Sequence, residues 1–144
     1  MTTHRSAVVH TSIEAPPERV AAFMSDLHSW TTWAPWIESV TRSSPRDWTL
    51  ATADGVMRFH FVDPNPLGIL DHEVTLPSGV TLTNSLRVVA NDTGSELVMV
   101  LYQWPHMSGE DFDRDVQAVT GDFARIKQVV EGATGEVDGR RSAI

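Results

Sequence analysis

The chain has 144 residues, of which 41% are hydrophobic and 21% charged, values that are ordinary for a globular domain with one core. Its net charge of −8 disfavours nucleic acid and anionic membranes as partners, because both bind basic surfaces. The sequence contains no cysteine, which excludes disulfides, thiolate nucleophiles and thiolate metal ligands.

The first part of the chain predicts one strand followed by two short helices. β-branched residues with a two-residue period predict a strand over residues 3–14. Pro17 suits the first turn of a helix, and apolar residues at helical spacing predict that helix over residues 18–25. A second short helical segment is predicted to begin at Asp26. It contains three tryptophans at every third position: Trp30, Trp33 and Trp36.

The middle of the chain predicts six strands joined by short connections. Alternating apolar patterns bounded by turn residues indicate these strands, and the Asp54-Gly55 pair is typical of a tight hairpin. The strands are predicted over residues 39–42, 48–53, 56–62, 69–76, 80–90 and 96–104. Because the connections are too short for crossovers, we expect an antiparallel sheet.

A long amphipathic helix is predicted over residues 108–131. Six apolar residues recur at alternating steps of four and three, which places them on one helical face. They are Phe112, Val116, Val119, Phe123, Ile126 and Val130. Ser108 is expected to cap this helix and Gly132 to end it, leaving residues 133–144 as a mobile tail. The acidic run over residues 110–115 is interpreted as its solvated first turns.

Together these elements predict an α+β fold in which a curved antiparallel sheet of about seven strands wraps around the C-terminal helix. The element order and two stretches, residues 12–37 (SIEAPPERVAAFMSDLHSWTTWAPWI) and 80–119 (VTLTNSLRVVANDTGSELVMVLYQWPHMSGEDFDRDVQAV), resemble the START-like (SRPBCC) superfamily of helix-grip proteins. Within that superfamily the chain looks most like the polyketide cyclase/dehydrase-like proteins. The resemblance covers residues 1–132, which we expect to form a single domain.

The resemblance implies a cavity between the inner face of the sheet and the long helix. It implies a small hydrophobic ligand, lipid-like or polycyclic aromatic, but no single activity, since the superfamily shares a cavity and not a catalytic motif. The two-residue period of the strands predicts which side chains face this cavity. They are Phe59, Phe61, His72, Val74, Asn84, Leu86, Met99 and Gln103.

Further candidates come from outside that strand pattern. Both faces of the last strand are apolar, so the choice between the set with Met99 and the set with Tyr102 stays open, and Tyr102 is kept as a secondary candidate. Val116, Val119 and Phe123 are the candidates from the long helix. Trp30 and Trp33 either close the cavity by stacking on a flat ligand or simply pack in the core.

Three polar side chains, His72, Asn84 and Gln103, fall on this predicted inner face. A buried polar group needs a partner, so they either bind a ligand carbonyl or hydroxyl group or pair with one another, with the backbone or with water. His72 is the best catalytic candidate, because an imidazole can transfer a proton near neutral pH.

The remaining patterns argue against several site classes. The six histidines show no metal-ligand spacing, and there is no phosphate loop, dinucleotide fingerprint or nucleophile elbow, so neither metal nor cofactor is predicted. No pair of carboxylates is expected to point inward, which gives two-carboxylate hydrolysis no support. We expect a cytoplasmic protein, because the N-terminal residues lack the apolar segment of a signal peptide and no apolar run is long enough for a membrane span.

Three functions remain open at this point. The first is a binding domain for a small hydrophobic molecule. The second is a polyketide cyclase, dehydratase or aromatase that folds a reactive chain inside the cavity. The third is a protein-interaction module with a filled interior and no ligand. A void lined by the polar inner residues would favour the first two. Monomer and dimer are equally compatible with the sequence.

Overall fold

The structure is a computed structural model that describes the backbone of residues 1–139 and the side chains of residues 1–132. One strand, a short α-helix, a 3-10 helix, six strands and a long α-helix follow one another along the chain. Their bounds are β1 (Ser6–Ile13), α1 (Pro17–Ser25), the 3-10 helix (Leu27–Thr32), β2 (Ile37–Arg42), β3 (Asp47–Thr52), β4 (Gly55–Phe61), β5 (His72–Thr75), β6 (Thr81–Asn91), β7 (Gly94–Tyr102) and α2 (Gly109–Gly139). This order confirms the predicted helix-grip fold.

The strands form one antiparallel sheet of seven strands in the order β1-β7-β6-β5-β4-β3-β2. Neighbours along the chain from β2 to β7 are neighbours in the sheet, joined by short connections except for the longer loop between β4 and β5. Gly55 begins β4 with a φ of +128°, a conformation that favours glycine because a side chain would clash with the backbone. The first strand, β1, pairs with the last, β7, along its whole length.

β5 is shorter than predicted, because residues 69–71 lie outside the regular ladder. The Asp71 carboxylate accepts a hydrogen bond from the backbone N–H of Leu86, at 3.0 Å, and so replaces a strand partner there. Asn65 closes the preceding loop by donating from Nδ2 to the carbonyls of Asp63 and Ile69. The loop over residues 62–71 is therefore held by side-chain hydrogen bonds together with an isolated antiparallel bridge between Ile69 and Arg87.

The second short helix is a 3-10 helix, which matches the every-third-residue spacing of its tryptophans. A 3-10 helix has three residues per turn, so residues three apart lie on the same side. The rings of Trp30 and Trp33 are accordingly in contact, with their centroids 5.3 Å apart. The Asp26 carboxylate caps this helix by accepting from the N–H of His28.

The predicted capping box begins α2. The N–H of Asp111 donates to the Ser108 hydroxyl at 3.0 Å, and the Asp111 carboxylate accepts from the N–H of Ser108 at the same distance. Phe112, Phe123 and Val130 are buried against the sheet side of the molecule. No helix within residues 1–139 is long and apolar enough to cross a membrane.

The predicted end of α2 at Gly132 is wrong, since the helix continues to Gly139. An interior glycine costs a helix only about 1 kcal/mol relative to alanine, so it permits a stop without imposing one. Residues 140–144 of the predicted tail lie outside the described residues.

Candidate functional site

A cavity of about 600 Å³ lies between α2 and the inner side of strands β4 to β7. The tryptophans of the 3-10 helix and of the segment that follows it form a further part of its wall. Most of the side chains predicted for the cavity line it. They are Trp30, Trp33, Phe59, His72, Val74, Asn84, Leu86, Met99, Tyr102, Val119 and Phe123.

Three predicted side chains do not line this cavity. Phe61 is buried at the end of β4, where its ring packs on His72 with a centroid distance of 4.6 Å. Gln103 lies just beyond β7, and its side-chain nitrogen donates to the Met107 carbonyl at 3.2 Å, so it holds the connection to α2. Val116 is half-buried and packs against the core.

The sequence left open whether the set of residues with Met99 or the set with Tyr102 faces the cavity from the last strand. Met99 and Leu101 face the cavity from within the strand, as the first set predicted. Tyr102 and Trp104 also line it, because β7 ends at Tyr102 and the strict alternation of a strand does not continue past that point. Both sets therefore contribute, whereas Gln103 does not.

His72 lies opposite Asn84 in the register of β5 and β6 and is 4% exposed. Its Nδ1 is 2.9 Å from the Leu70 carbonyl oxygen, which can only accept, so Nδ1 carries the proton and Nε2 keeps a lone pair. Asn84 Nδ2 lies 3.4 Å from that Nε2. Burial lowers the pKa of His72 below its ordinary value of 6.5, against the opposing effects of Leu70 and Asp71. The imidazole is therefore neutral at pH 7.

Two neighbouring indoles in the wall differ in their hydrogen bonding. Trp30 and Trp33 are each 5% exposed. Trp30 Nε1 donates to the Met24 carbonyl at 3.0 Å, one of the last carbonyls of α1, which have no partner within that helix. Trp33 Nε1 is buried and has no acceptor among the described residues. A buried donor without an acceptor is uncommon, and it requires a physical explanation.

Carboxylates on α2 also line the cavity, which corrects two expectations. Asp111, Asp115 and Asp122 are all part of its wall. The interpretation of residues 110–115 as fully solvated is wrong for Asp115, which is half-buried, and the expectation of no inward pair is wrong for Asp115 and Asp122. Residues seven apart on a helix share a face, so this pair lies beside Val119 on the edge of the apolar stripe.

The two acids of this pair have different surroundings. Asp122 accepts from Arg125 Nη2 at 2.6 Å. Burial raises the pKa of Asp122, while the Arg125 guanidinium and a hydrogen bond from Trp36 lower it. Asp115 has neither a hydrogen bond nor an ion pair with the described residues. Burial raises the pKa of Asp115, and the negative charge of Asp122 adds to that increase.

A family model described as polyketide cyclase / dehydrase and lipid transport matches residues 4–133. The chain belongs to this family.

Solved structures with the same fold are distant in sequence. A START superfamily protein from Mycobacterium smegmatis is 12% identical with a TM-score of 0.74, over 89% of this chain and 98% of that one. CalU16 from Micromonospora echinospora is 13% identical with a TM-score of 0.68, over 90% and 76% of the two chains. The Aha1 dimer from Colwellia psychrerythraea is 10% identical with a TM-score of 0.71, over 86% and 94%. None of the curated proteins compared with the sequence matches it.

The cavity of this polyketide cyclase/dehydrase and lipid-transport family member combines apolar walls with a few polar groups. Among residues 1–132, no group of three or more histidine, aspartate or glutamate side chains could hold a metal ion. His72 offers a lone pair to a proton or to a donor group, and Asn84 can bind a carbonyl or hydroxyl group. Sequence reasoning missed Asp115 and Asp122, although their spacing of seven was a usable signal.

Proposed function

We propose that this protein binds a small hydrophobic molecule in the cavity between the sheet and α2. The observation that carries this proposal is a void of about 600 Å³ with mainly apolar and aromatic walls. Small-molecule pockets span about 300–1,000 Å³ and have this kind of lining.

The walls suit a flat or extended apolar molecule. Trp30, Phe59 and Tyr102 present aromatic surface to the void, which favours contact with rings or acyl chains. On the sheet side of the cavity the polar groups are few, with His72 and Asn84 side by side. A carbonyl or hydroxyl group on the ligand would bind there without leaving a buried polar atom unpaired.

Binding can be tested with Nile red, an uncharged dye that fluoresces in apolar surroundings. Ala118 lines the cavity and is exposed, so Ala118→Trp adds bulk at the opening without burying it in the core. Ala124 is exposed on the same helix but outside the cavity wall, which makes Ala124→Trp the matched control. We expect Ala118→Trp to weaken dye binding by roughly tenfold, a change of about 1.4 kcal/mol, and the control to leave it unchanged.

Equal effects of the two substitutions, or no saturable dye binding, would contradict the proposed site. Native mass spectrometry of the protein purified from its own host would then identify a retained molecule directly. The open cavity with its mainly apolar lining favours ligand binding over a module that only contacts other proteins. The cytoplasmic location stays a prediction, and the oligomeric state stays open.

One observation favours a second candidate, a cyclase or dehydratase acting on a polyketide-like chain. His72 is neutral and keeps its Nε2 lone pair, so it can accept a proton from a carbon between two carbonyl groups. The cavity would contribute by holding the reacting carbons together. With a poly-β-keto thioester, His72→Gln should abolish conversion while Nile red still binds. Unchanged conversion would remove His72 from the mechanism.

A further inference from the structure

Asp115 is the one acid in the cavity wall whose charge has no partner among the described residues. The wall contains two other carboxylates, and both are paired. Asp122 binds Arg125, and Asp111 binds Arg114, itself a wall residue, with His106 also near Asp111. The wall therefore carries one uncompensated negative charge, at a half-buried position.

The unpaired indole donor of Trp33 is not part of this polar surface. Trp33 lines the cavity, but its Nε1 is buried and has no acceptor among the described residues. A molecule in the cavity therefore does not reach that atom, and the polar contact comes from Asp115.

The aromatic lining favours a positively charged group on the ligand. The faces of tryptophan and tyrosine rings attract cations, and the attraction grows when water is excluded. Trp30, Trp36 and Tyr102 line the same cavity as Asp115. An anionic group placed beside Asp115 and Asp122 would be repelled, whereas an ammonium group would be attracted by the carboxylate and the rings together.

We infer that the ligand of this cavity carries a protonated amine that pairs with Asp115. This inference rests on the proposed binding function and adds the chemical class of the ligand. The electrostatics agree with it. Burial and the neighbouring Asp122 raise the pKa of Asp115 by disfavouring its charged form, and a cation bound beside it would stabilise that form.

The test uses three probes that share one ring system and differ in their polar group. They are naphthylmethylamine, which is protonated at neutral pH, naphthylmethanol and naphthoate. Isothermal titration calorimetry measures their affinities for the wild-type protein, for Asp115→Asn and for Glu110→Gln. Glu110 is exposed on α2 and is not a wall residue, so the control removes one negative charge outside the cavity.

We expect the amine to bind the wild type roughly fivefold to tenfold more tightly than the alcohol, as a half-buried ion pair would give. Asp115→Asn should remove this preference and leave alcohol binding within about twofold, while Glu110→Gln should keep it. Equal affinity of amine and alcohol for the wild type, or tightest binding of naphthoate, overturns the inference but leaves hydrophobic binding intact. Absence of binding by all three overturns both.

Discussion

The neighbouring tryptophans Trp30 and Trp33 allow the cost of the unpaired indole N–H to be measured directly. Replacing either one with phenylalanine removes the same atoms, a fused ring and an N–H group. Both side chains are 5% exposed, so the loss of buried surface is similar. The two substitutions differ in what the N–H group contacts: Trp30 donates to the Met24 carbonyl at 3.0 Å, and Trp33 has no acceptor among the described residues.

The expected free energies follow from these contacts. Shrinking the buried ring costs roughly 1–2 kcal/mol in each variant. Trp30→Phe loses in addition about 1 kcal/mol for the hydrogen bond, which gives a total near 2–3 kcal/mol. Trp33→Phe removes an unpaired donor that costs about 1–3 kcal/mol, so its net change should lie near zero. The ring-shrinkage cost is common to both, so the variants should differ by about 2–4 kcal/mol.

Urea unfolding followed by far-ultraviolet circular dichroism measures this difference, because it does not depend on the fluorescence of the replaced residue. The slope of the transition should stay the same in both variants, so that the midpoint alone reports stability. Equal losses in Trp30→Phe and Trp33→Phe would refute the reasoning. Such a result would mean that the Trp33 donor is already satisfied in the folded protein.

Three further predictions concern other parts of the chain. Asp71→Asn should cost about 1 kcal/mol at neutral pH, because hydrogen bonds from Arg87 lower the pKa of Asp71 and its carboxylate adds stability. That difference should disappear in urea titrations as the pH falls below 3.8. Burial lowers the pKa of His72, so the wild type should lose stability as the pH falls below 6.5, and His72→Gln should flatten that slope. A steeper slope in the variant would contradict this. Gly68→Ala should cost about 3 kcal/mol by thermal unfolding, since its φ is +74° and the new Cβ would lie 2.2 Å from the Val88 carbonyl oxygen. A loss below about 1 kcal/mol would show that the loop moves to accommodate the methyl group.

The pattern of the sequence predicted most of the secondary structure because the signals were local. The capping box at Ser108 and the four–three spacing of α2 are properties of one segment, and both are confirmed. Predictions that depended on contacts between residues distant in the chain were less accurate. β5 was predicted too long because the Asp71 carboxylate occupies the Leu86 N–H, a contact between strands that no local pattern contains.

The prediction of the cavity residues likewise succeeded where it depended on local spacing and failed where it depended on the surrounding structure. Alternation along β4 to β6 placed Phe59, His72 and Asn84 on the inner side, since a strand turns successive side chains to opposite faces. Gln103 was misplaced because alternation stops where β7 ends. Asp115 was predicted to be solvated because it is charged. Its position on the helix, at the edge of the apolar stripe, places it in the cavity wall instead.

The sequence by itself determined the order of the elements, the antiparallel sheet and the presence of one long amphipathic helix, because residue spacing and turn chemistry act over a few residues. The tertiary structure decided which groups are left without partners. Asp115 and Trp33 acquire their character from burial and from neighbours distant in the chain. Desolvation depends on three-dimensional packing, so only the folded chain could reveal the polar chemistry of this cavity.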